Sequence, residues 1–354
     1  MSSEFLASRF CRMVPYRLGE QPADKVYIKL NSNETSVPAS PQVVAAIRAA
    51  AQRPLGFYSD QDATVLRVAL GNCYQVRADQ VLVGNGADEI LSFCFGAYGE
   101  NRGFAFPDIT YGFFKTFMRA FGVDYTEIPL REDFTIDLEP YYRTGRNVVI
   151  ANPNAPTGLL LSTAQIARLL ESNPDRVVIV DEAYLGFGSE SCIPLLKEYK
   201  NLIVVHTMSK ARNLAGLHVG YAIASETMIE ELSCLKNCFN PNNLNQITLD
   251  AAVAAVADQA YTDACCAERI ANRDSVIAQL SGLGLRVIPS YANFILLAHP
   301  TLEAVFLEER LRDHGILVRR YGQDRILNYI RMTIGTRAEM DAVLRAMREI
   351  CAEK

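Results

Sequence analysis

The chain has 354 residues, of which 49% are hydrophobic and 21% charged, and its formal net charge is -5. This length allows one large domain or two domains that share an interface, with a sizeable core. The acidic balance argues against a nucleic-acid-binding surface, which would be basic. No apolar stretch approaches the ~20 residues of a membrane-spanning helix, and residues 1–20 lack the apolar core of a signal peptide. We therefore expect a soluble, cytoplasmic protein without nucleic-acid or membrane partners.

Nine cysteines are scattered along the chain. None belongs to a Cys-x-x-Cys pair, and Cys234 and Cys238 lie in a helical-looking segment without a nearby histidine. An odd number of cysteines in such a chain indicates reduced, mostly buried thiols. We expect neither a disulfide framework nor a metal site.

An irregular N-terminal arm is predicted over residues 1–41, with one short strand at 26–30. Such an arm buries little surface alone, so we expect it to pack on another domain or subunit. Helices are predicted at 42–52 and 64–72, where apolar residues repeat at helical spacing.

A strand at 81–83 is followed by Gly84-Asn85-Gly86-Ala87-Asp88-Glu89 and then by an apolar helix from Ile90. Free amides at a helix N-terminus, together with glycine, suit a phosphate group. The third glycine of the dinucleotide fingerprint is missing, because Glu89 stands there. On this stretch alone, an anion site and a purely structural turn stay equally open.

Apolar runs then alternate with helical segments up to residue 224. These predicted strands are 103–106, 124–128, 148–150, 177–180, 202–205 and 219–224. Because the runs are continuously apolar, we expect a mostly parallel sheet covered by helices on both faces. Polar residues collect at the carboxyl ends of the runs, where open α/β sheets bind ligands.

A smaller α+β domain is predicted over residues 245–354, from an Ala-rich helical pattern followed by a few strands with flanking helices. The arm is expected to join this domain. The large domain then covers residues 42–244.

One apolar run ends in Thr207-Met208-Ser209-Lys210. Burial would disfavour the ammonium form of Lys210 and leave an amine that attacks carbonyl carbon, although by itself this lysine is more readily explained as a solvated strand cap. Asp181 at another strand end, the Gly86 turn and the Tyr111 ring complete a holder for pyridoxal phosphate (PLP). That cofactor needs a lysine imine, an acidic partner for its pyridinium nitrogen and a phosphate cup.

The spacing of these elements resembles the fold-type-I aminotransferases over nearly the whole chain. Within that family the sequence is most similar to histidinol-phosphate aminotransferases. The motifs that carry the resemblance are Val14-Pro15-Tyr16, Gly19-Glu20-Gln21-Pro22, Gly86-Ala87-Asp88-Glu89, Asn152-Pro153-Asn154-Ala155-Pro156-Thr157-Gly158, Asp181-Glu182-Ala183-Tyr184, Ser209-Lys210, Leu214-Ala215-Gly216-Leu217 and Arg331-Met332-Thr333-Ile334-Gly335-Thr336.

The resemblance implies a catalytic group formed by Lys210, Asp181 and Tyr184. Lys210 would bind the cofactor as a Schiff base and then shuttle a proton. Asp181 would keep the pyridine nitrogen protonated, and Tyr184 would hydrogen-bond the phenolic oxygen. Tyr111 would stack on the ring.

The implied phosphate cup consists of Gly86, the amides of Ala87 and Asp88, and the hydroxyls of Thr207 and Ser209. Tyr58 matches a tyrosine that reaches the phosphate held by the neighbouring subunit. The resemblance therefore implies a homodimer with shared sites.

The implied substrate site contains Arg331, Arg319 and Tyr16, with Asn33 and Asn293 near the pocket. Two guanidiniums and a phenol suit a dianionic phosphate better than a single carboxylate.

Two positions depart from the family pattern. Ala155 replaces an asparagine that contacts the cofactor's phenolic oxygen, so either Asn154 turns inward or Tyr184 makes that bond alone. His218 replaces an arginine on the cofactor phosphate, and a histidine donates fewer hydrogen bonds. Arg212 is a candidate substitute.

The implied reaction is transamination of histidinol phosphate with 2-oxoglutarate, giving imidazole-acetol phosphate and glutamate. An aromatic or broad-specificity aminotransferase and a decarboxylase of phosphorylated amino acids remain alternatives on the same fold. A catalytically inactive binding protein and a nucleotide-dependent dehydrogenase built on Gly84-Asn85-Gly86 are alternatives from other classes.

Overall fold

A computed structural model describes residues 4–11, 13 and 19–353. The strands are β1 Ile28–Lys29, β2 Val81–Gly84, β3 Phe104–Pro107, β4 Tyr125–Ile128, β5 Asn147–Ala151, β6 Val178–Asp181, β7 Leu202–Thr207, β8 Gly220–Ala224, β9 Arg286–Val287, β10 Phe294–Ala298, β11 Ile316–Leu317, β12 Arg319–Arg320 and β13 Ile330–Thr333. The α-helices are α1 Pro41–Ala51, α2 Thr64–Tyr74, α3 Gly86–Tyr98, α4 Phe113–Phe121, α5 Glu139–Tyr142, α6 Thr163–Glu171, α7 Glu226–Phe239, α8 Gln246–Ala257, α9 Gln259–Gly282, α10 Ala304–Asp313 and α11 Arg337–Ala352. No helix in these ranges is both long enough and apolar enough to cross a membrane.

The larger sheet has, among the described residues, seven strands in the order β2-β8-β7-β6-β5-β3-β4. Neighbouring strands from β7 to β4 run parallel, whereas β8 is antiparallel to both β7 and β2. The predicted mostly parallel sheet is confirmed. As a result, β2, β5, β6 and β7 all end at one edge of the sheet, where the glycine turn and the polar strand ends meet.

Apolar cores cover both faces of this sheet. Along β6, Val178 and Val180 pack on one side with α2, α6 and α8, and Ile179 packs on the other with α3, α4 and α7. This explains the continuous apolar runs, because each side chain of a doubly covered strand is buried. The two cores hold the strand ends in fixed positions.

The smaller sheet is antiparallel, in the order β12-β13-β10-β9, and packs with α9, α10 and α11. The N-terminal arm joins this unit, because β1 pairs in parallel with β11 and Leu30 lies in the same core. The predicted helical segment from residue 245 is interrupted at Asp258, and its first part, α8, packs on α1 and α2. The division into 1–41, 42–244 and 245–354 stays a prediction.

Candidate active site

A cleft with a volume of about 370 Å³ lies at the edge where β2, β5, β6 and β7 end. The arm and the small sheet form its opposite wall. The cleft brings together the predicted site residues Asn33, Gly86, Ala87, Asp88, Tyr111, Asp181, Tyr184, Thr207, Ser209, Lys210, His218, Arg319 and Arg331.

Asp181 and Lys210 are ionisable groups on the floor of the cleft. Asp181 is 4% exposed, and its Oδ1 accepts a hydrogen bond of 3.0 Å from the backbone N–H of Ala183. Burial, and then the charges of Asp88 and Glu182, raise the pKa of Asp181 to about 7. Burial, and then the charge of Arg331, lower the pKa of Lys210 to about 8. Among the described residues, the Lys210 amine donates no hydrogen bond.

The glycine turn packs so closely against its neighbours that no side chain fits at Gly86 or Gly220. Gly86 has a φ of +82°, and a Cβ on it would lie 2.4 Å from the His218 ring. A Cβ on Gly220 would lie 2.2 Å from the Gly86 carbonyl carbon. These contacts seat the N-terminus of α3 beside Thr207 and Ser209, whose hydroxyls are 2.9 Å apart.

Two tyrosines are held by neighbouring polar groups. The Tyr184 hydroxyl accepts a hydrogen bond of 2.8 Å from Asn33 Nδ2, and burial raises the pKa of Tyr184. The Tyr111 hydroxyl donates to Asp88 Oδ1 at 2.9 Å. Both rings are therefore fixed before any ligand arrives.

Two arginines face the cleft from the small sheet. Arg319 and Arg331 are directly opposite each other on β12 and β13. The Arg331 guanidinium lies over the rings of Phe294 and Tyr321, 5.5 and 5.8 Å from their centroids, and donates to the Asn31 carbonyl at 2.7 Å. Its Nε is buried without a partner among the described residues.

The sequence matches the family model described as aminotransferase class I and II over residues 25–347. The chain belongs to this family. The aminotransferase is 42% identical over 337 residues to histidinol-phosphate aminotransferase of Clostridium botulinum (strain Langeland), covering 95% of each chain. It is 44% identical over 344 residues to histidinol-phosphate aminotransferase 2 of Dechloromonas aromatica, covering 96% of each.

A solved structure supports the same assignment. Histidinol-phosphate aminotransferase from Sinorhizobium meliloti, in complex with pyridoxal-5'-phosphate, has a TM-score of 0.84 and 25% identity, covering 93% of this chain and 92% of that one. The predicted resemblance and the fold-type-I architecture are confirmed.

The cleft fits PLP, the cofactor of the aminotransferase. Asp181 is a buried carboxyl that receives one backbone hydrogen bond and, among the described residues, no hydrogen bond from a cationic side chain. A protonated ring nitrogen would lower its pKa again. The amine of Lys210 and the turn at Gly86 and Gly220 supply the remaining chemistry, a nucleophile and a set of backbone donors for a phosphate.

Several predicted residues lie outside the cleft. The Asn154 amide faces Thr110, Ile109 and Thr157, and the side chain of Ala155 lines the cleft instead. Asn154 therefore does not turn inward.

Arg212 also points away, because it donates to Gln259 and to the Ala255 carbonyl. The Asn293 side chain donates a hydrogen bond of 3.2 Å to the backbone carbonyl of Asn33. Tyr58 lies away from the cleft, and Tyr16 is outside the described residues.

Other cleft neighbours were not predicted from the sequence. Glu34 favours the charged form of Lys210, and the buried Arg269 donates to Asn213 Oδ1 at 2.5 Å and to the Lys210 carbonyl at 3.4 Å. Glu34 could have been predicted from the sequence, because it is the next residue after the predicted site residue Asn33. Arg269 lies on an amphipathic helix, where a charged residue normally indicates a solvated face.

The shifted pKa of Lys210 predicts its reactivity. Only the neutral amine reacts with an acylating reagent, so labelling of Lys210 in the cofactor-free protein should rise with pH and level off above about pH 8. A lysine in water has a pKa of about 10.4. Competitive labelling read by mass spectrometry measures the midpoint, with exposed lysines as internal references. A Lys210 midpoint that coincides with theirs would contradict the burial argument.

Proposed function

We propose that the aminotransferase converts histidinol phosphate and 2-oxoglutarate to imidazole-acetol phosphate and glutamate, in histidine biosynthesis. The observation that carries this proposal is one cleft with Lys210 and Asp181 on its floor and Arg319 and Arg331 on its opposite wall. The floor suits PLP chemistry, and the paired guanidiniums suit a phosphate group. The relatives named histidinol-phosphate aminotransferase support the assignment.

When bound, PLP supplies an aldehyde that condenses with amines and a ring that accepts electrons from the substrate's α-carbon. Lys210 binds the cofactor. Once released, its amine takes the proton from the substrate's α-carbon and passes it to the cofactor. A pKa of about 8 lets this amine both accept and release a proton near neutral pH. Asp181 keeps the ring nitrogen protonated. The Tyr184 hydroxyl, oriented by Asn33, donates to the phenolic oxygen.

Arg319 and Arg331 bind the substrate phosphate in this proposal. Side chains directly opposite on antiparallel strands lie about 5 Å apart at Cβ, so both forks can reach one dianion. A dianionic phosphate that reaches both guanidiniums would be attracted by both. The aromatic rings around Arg331 hold its guanidinium in one orientation.

A transamination screen separates the proposal from its alternatives. With glutamate as donor, acceptors that carry a phosphate should react much faster than phenylpyruvate, and the reverse order would indicate an aromatic aminotransferase. Release of CO₂ from threonine O-phosphate would indicate a decarboxylase. Protein that binds no PLP would indicate an inactive relative.

Replacing the lysine tests the catalytic assignment. Lys210→Ala should lower kcat at least about 100-fold, because proton transfer by a positioned group contributes about 10²–10⁴-fold. Borohydride reduction should attach PLP to the peptide that contains Lys210 in the wild type and not in the variant. Lys197→Ala, an exposed lysine, is the control and should behave as wild type.

Replacing an arginine tests the substrate. Arg319→Ala should lower kcat/KM for histidinol phosphate about 10- to 100-fold, from the loss of a charged hydrogen bond, and should change kcat/KM for an unphosphorylated amino acid little. Arg320→Ala is the matched control, because Arg320 is the next residue on β12 and pairs with Glu308. Equal losses with both substrates would argue against a phosphate-binding role for Arg319.

We infer that the active unit is a homodimer in which Tyr58 serves the partner's site. Tyr58 is 84% exposed and lies in an apolar surface region with Leu55, Phe57 and Val65. Exposed apolar groups clustered this way indicate an interface. Tyr58 lines pockets beside α8 and not the cleft of its own chain.

Complementation tests the shared site. Lys210→Ala and Tyr58→Ala chains should each be impaired as homodimers. A co-expressed, doubly tagged heterodimer should regain one working site, built from the intact Lys210 of one chain and the intact Tyr58 of the other. If activity does not recover in the heterodimer, Tyr58 serves its own chain or no site at all, and the proposal fails.

A further inference from the structure

A buried polar cluster lies behind the cleft and takes no part in the chemistry described above. It is centred on Glu182 and His206, each 2% exposed. Glu182 Oε2 lies 2.8 Å from His206 Nε2 and accepts a 2.6 Å hydrogen bond from Ser191 Oγ, while Oε1 accepts one of 2.6 Å from the Cys192 N–H. An ionised carboxylate only accepts hydrogen bonds, so opposite an ionised Glu182 the donor of this contact is Nε2 of His206.

The other ring nitrogen of His206 continues the cluster. Its Nδ1 lies 3.3 Å from both the Tyr74 and the Tyr221 hydroxyls, which are 2.7 Å from each other. Arg212 interacts with Tyr74 at the far end. Hydrogen-bonded groups thus run from a buried carboxylate to a buried guanidinium.

The cluster is coupled to Asp181 by strand geometry. Asp181 and Glu182 are consecutive, so their side chains leave opposite faces of the sheet. β6 and β7 pair Asp181 with Val205, and therefore Glu182 lies beside His206. Asp181 lines the cleft, whereas Tyr221, which pairs with His206, lies in the core of the other face.

Electrostatics give this arrangement a consequence. A carboxylate next to Asp181 opposes the ionisation of Asp181, and the Glu182 charge does raise its pKa. Without His206, a Glu182 carboxylate that stays ionised on its Ser191 and Cys192 donors would oppose the ionisation of Asp181 more strongly. Among the described residues, the other charged or titratable groups near Asp181 are Asp88, Tyr184 and Lys210. Tyr74 and Tyr221 contact His206, and Cys73 and Arg212 lie near these two tyrosines.

We propose that His206 is a positioning residue of the cofactor site, which holds Glu182 and compensates its charge so that Asp181 stays ionised opposite the ring nitrogen of PLP. This rests on the proposed function only in requiring that the cleft binds PLP.

Equilibrium titration of cofactor-free, full-length protein with PLP tests the proposal. His206→Leu should weaken PLP binding at least about tenfold, the factor for one pKa unit at Asp181. Glu182→Gln should bind PLP at least as tightly as wild type, because it removes a charge that raises the pKa of Asp181. The PLP affinity of the double variant should return to within about threefold of wild type, because without the Glu182 carboxylate no charge is left for His206 to compensate. Thermal unfolding of each cofactor-free variant reports stability separately.

Each outcome decides. A purely structural role predicts lower stability without rescue of PLP affinity in the double variant, and that result overturns the proposal. Wild-type affinity in His206→Leu also overturns it. If His206→Leu does not fold, Glu182→Gln alone is decisive, because a tenfold or greater loss of PLP affinity there contradicts charge compensation. Wild-type protein that binds no PLP refutes the proposed function itself.

Discussion

The burial of two ionisable groups at the ends of neighbouring strands is the constraint on which this active site depends. Away from water, Asp181 loses much of its acidity and Lys210 much of its basicity, to pKa values of about 7 and about 8. Each unit of displacement costs about 1.4 kcal/mol. The fold tolerates this cost because both chain segments leave a sheet covered by apolar cores on both faces. A bound cofactor with a cationic ring and an aldehyde would offset it.

The rest of the cleft follows from the direction of the strands. Because β2, β5, β6 and β7 end at the same edge, one turn of helix α3, one carboxylate and one lysine converge without long loops. The close approach of Gly220 to Gly86 locks the helix N-terminus against β8. Lys210 and Asp181 therefore lie on the wall built by the large sheet, whereas the arm and the small sheet supply the opposite wall, to which we assign substrate binding in the proposed function.

Much of this could be predicted from the sequence, because continuous apolar runs and the polar residues that follow them carry both the fold and the cofactor residues. Side-chain direction could not. The amide of Asn154 faces Thr110 because the loop backbone turns it there, which spacing does not encode. His206 sits at the end of an apolar run, and only the pairing of β6 with β7 brings it to Glu182. The antiparallel direction of β8 could not be predicted either, because the apolar pattern of a buried strand does not depend on the direction in which the strand runs.

The contact between Asn33 and Thr333 has a consequence for how the protein is made. The Asn33 N–H donates to Thr333 Oγ1 at 3.0 Å, and the Thr333 N–H donates to the Leu30 carbonyl at 2.9 Å. Asn33 is thus synthesised 300 residues before its partner Thr333, an interval that at about 5–20 residues per second takes tens of seconds. The cup formed by residues 84–220 is synthesised well before. The residues on the Lys210 side of the cleft are therefore synthesised before Arg319 and Arg331 on the opposite wall.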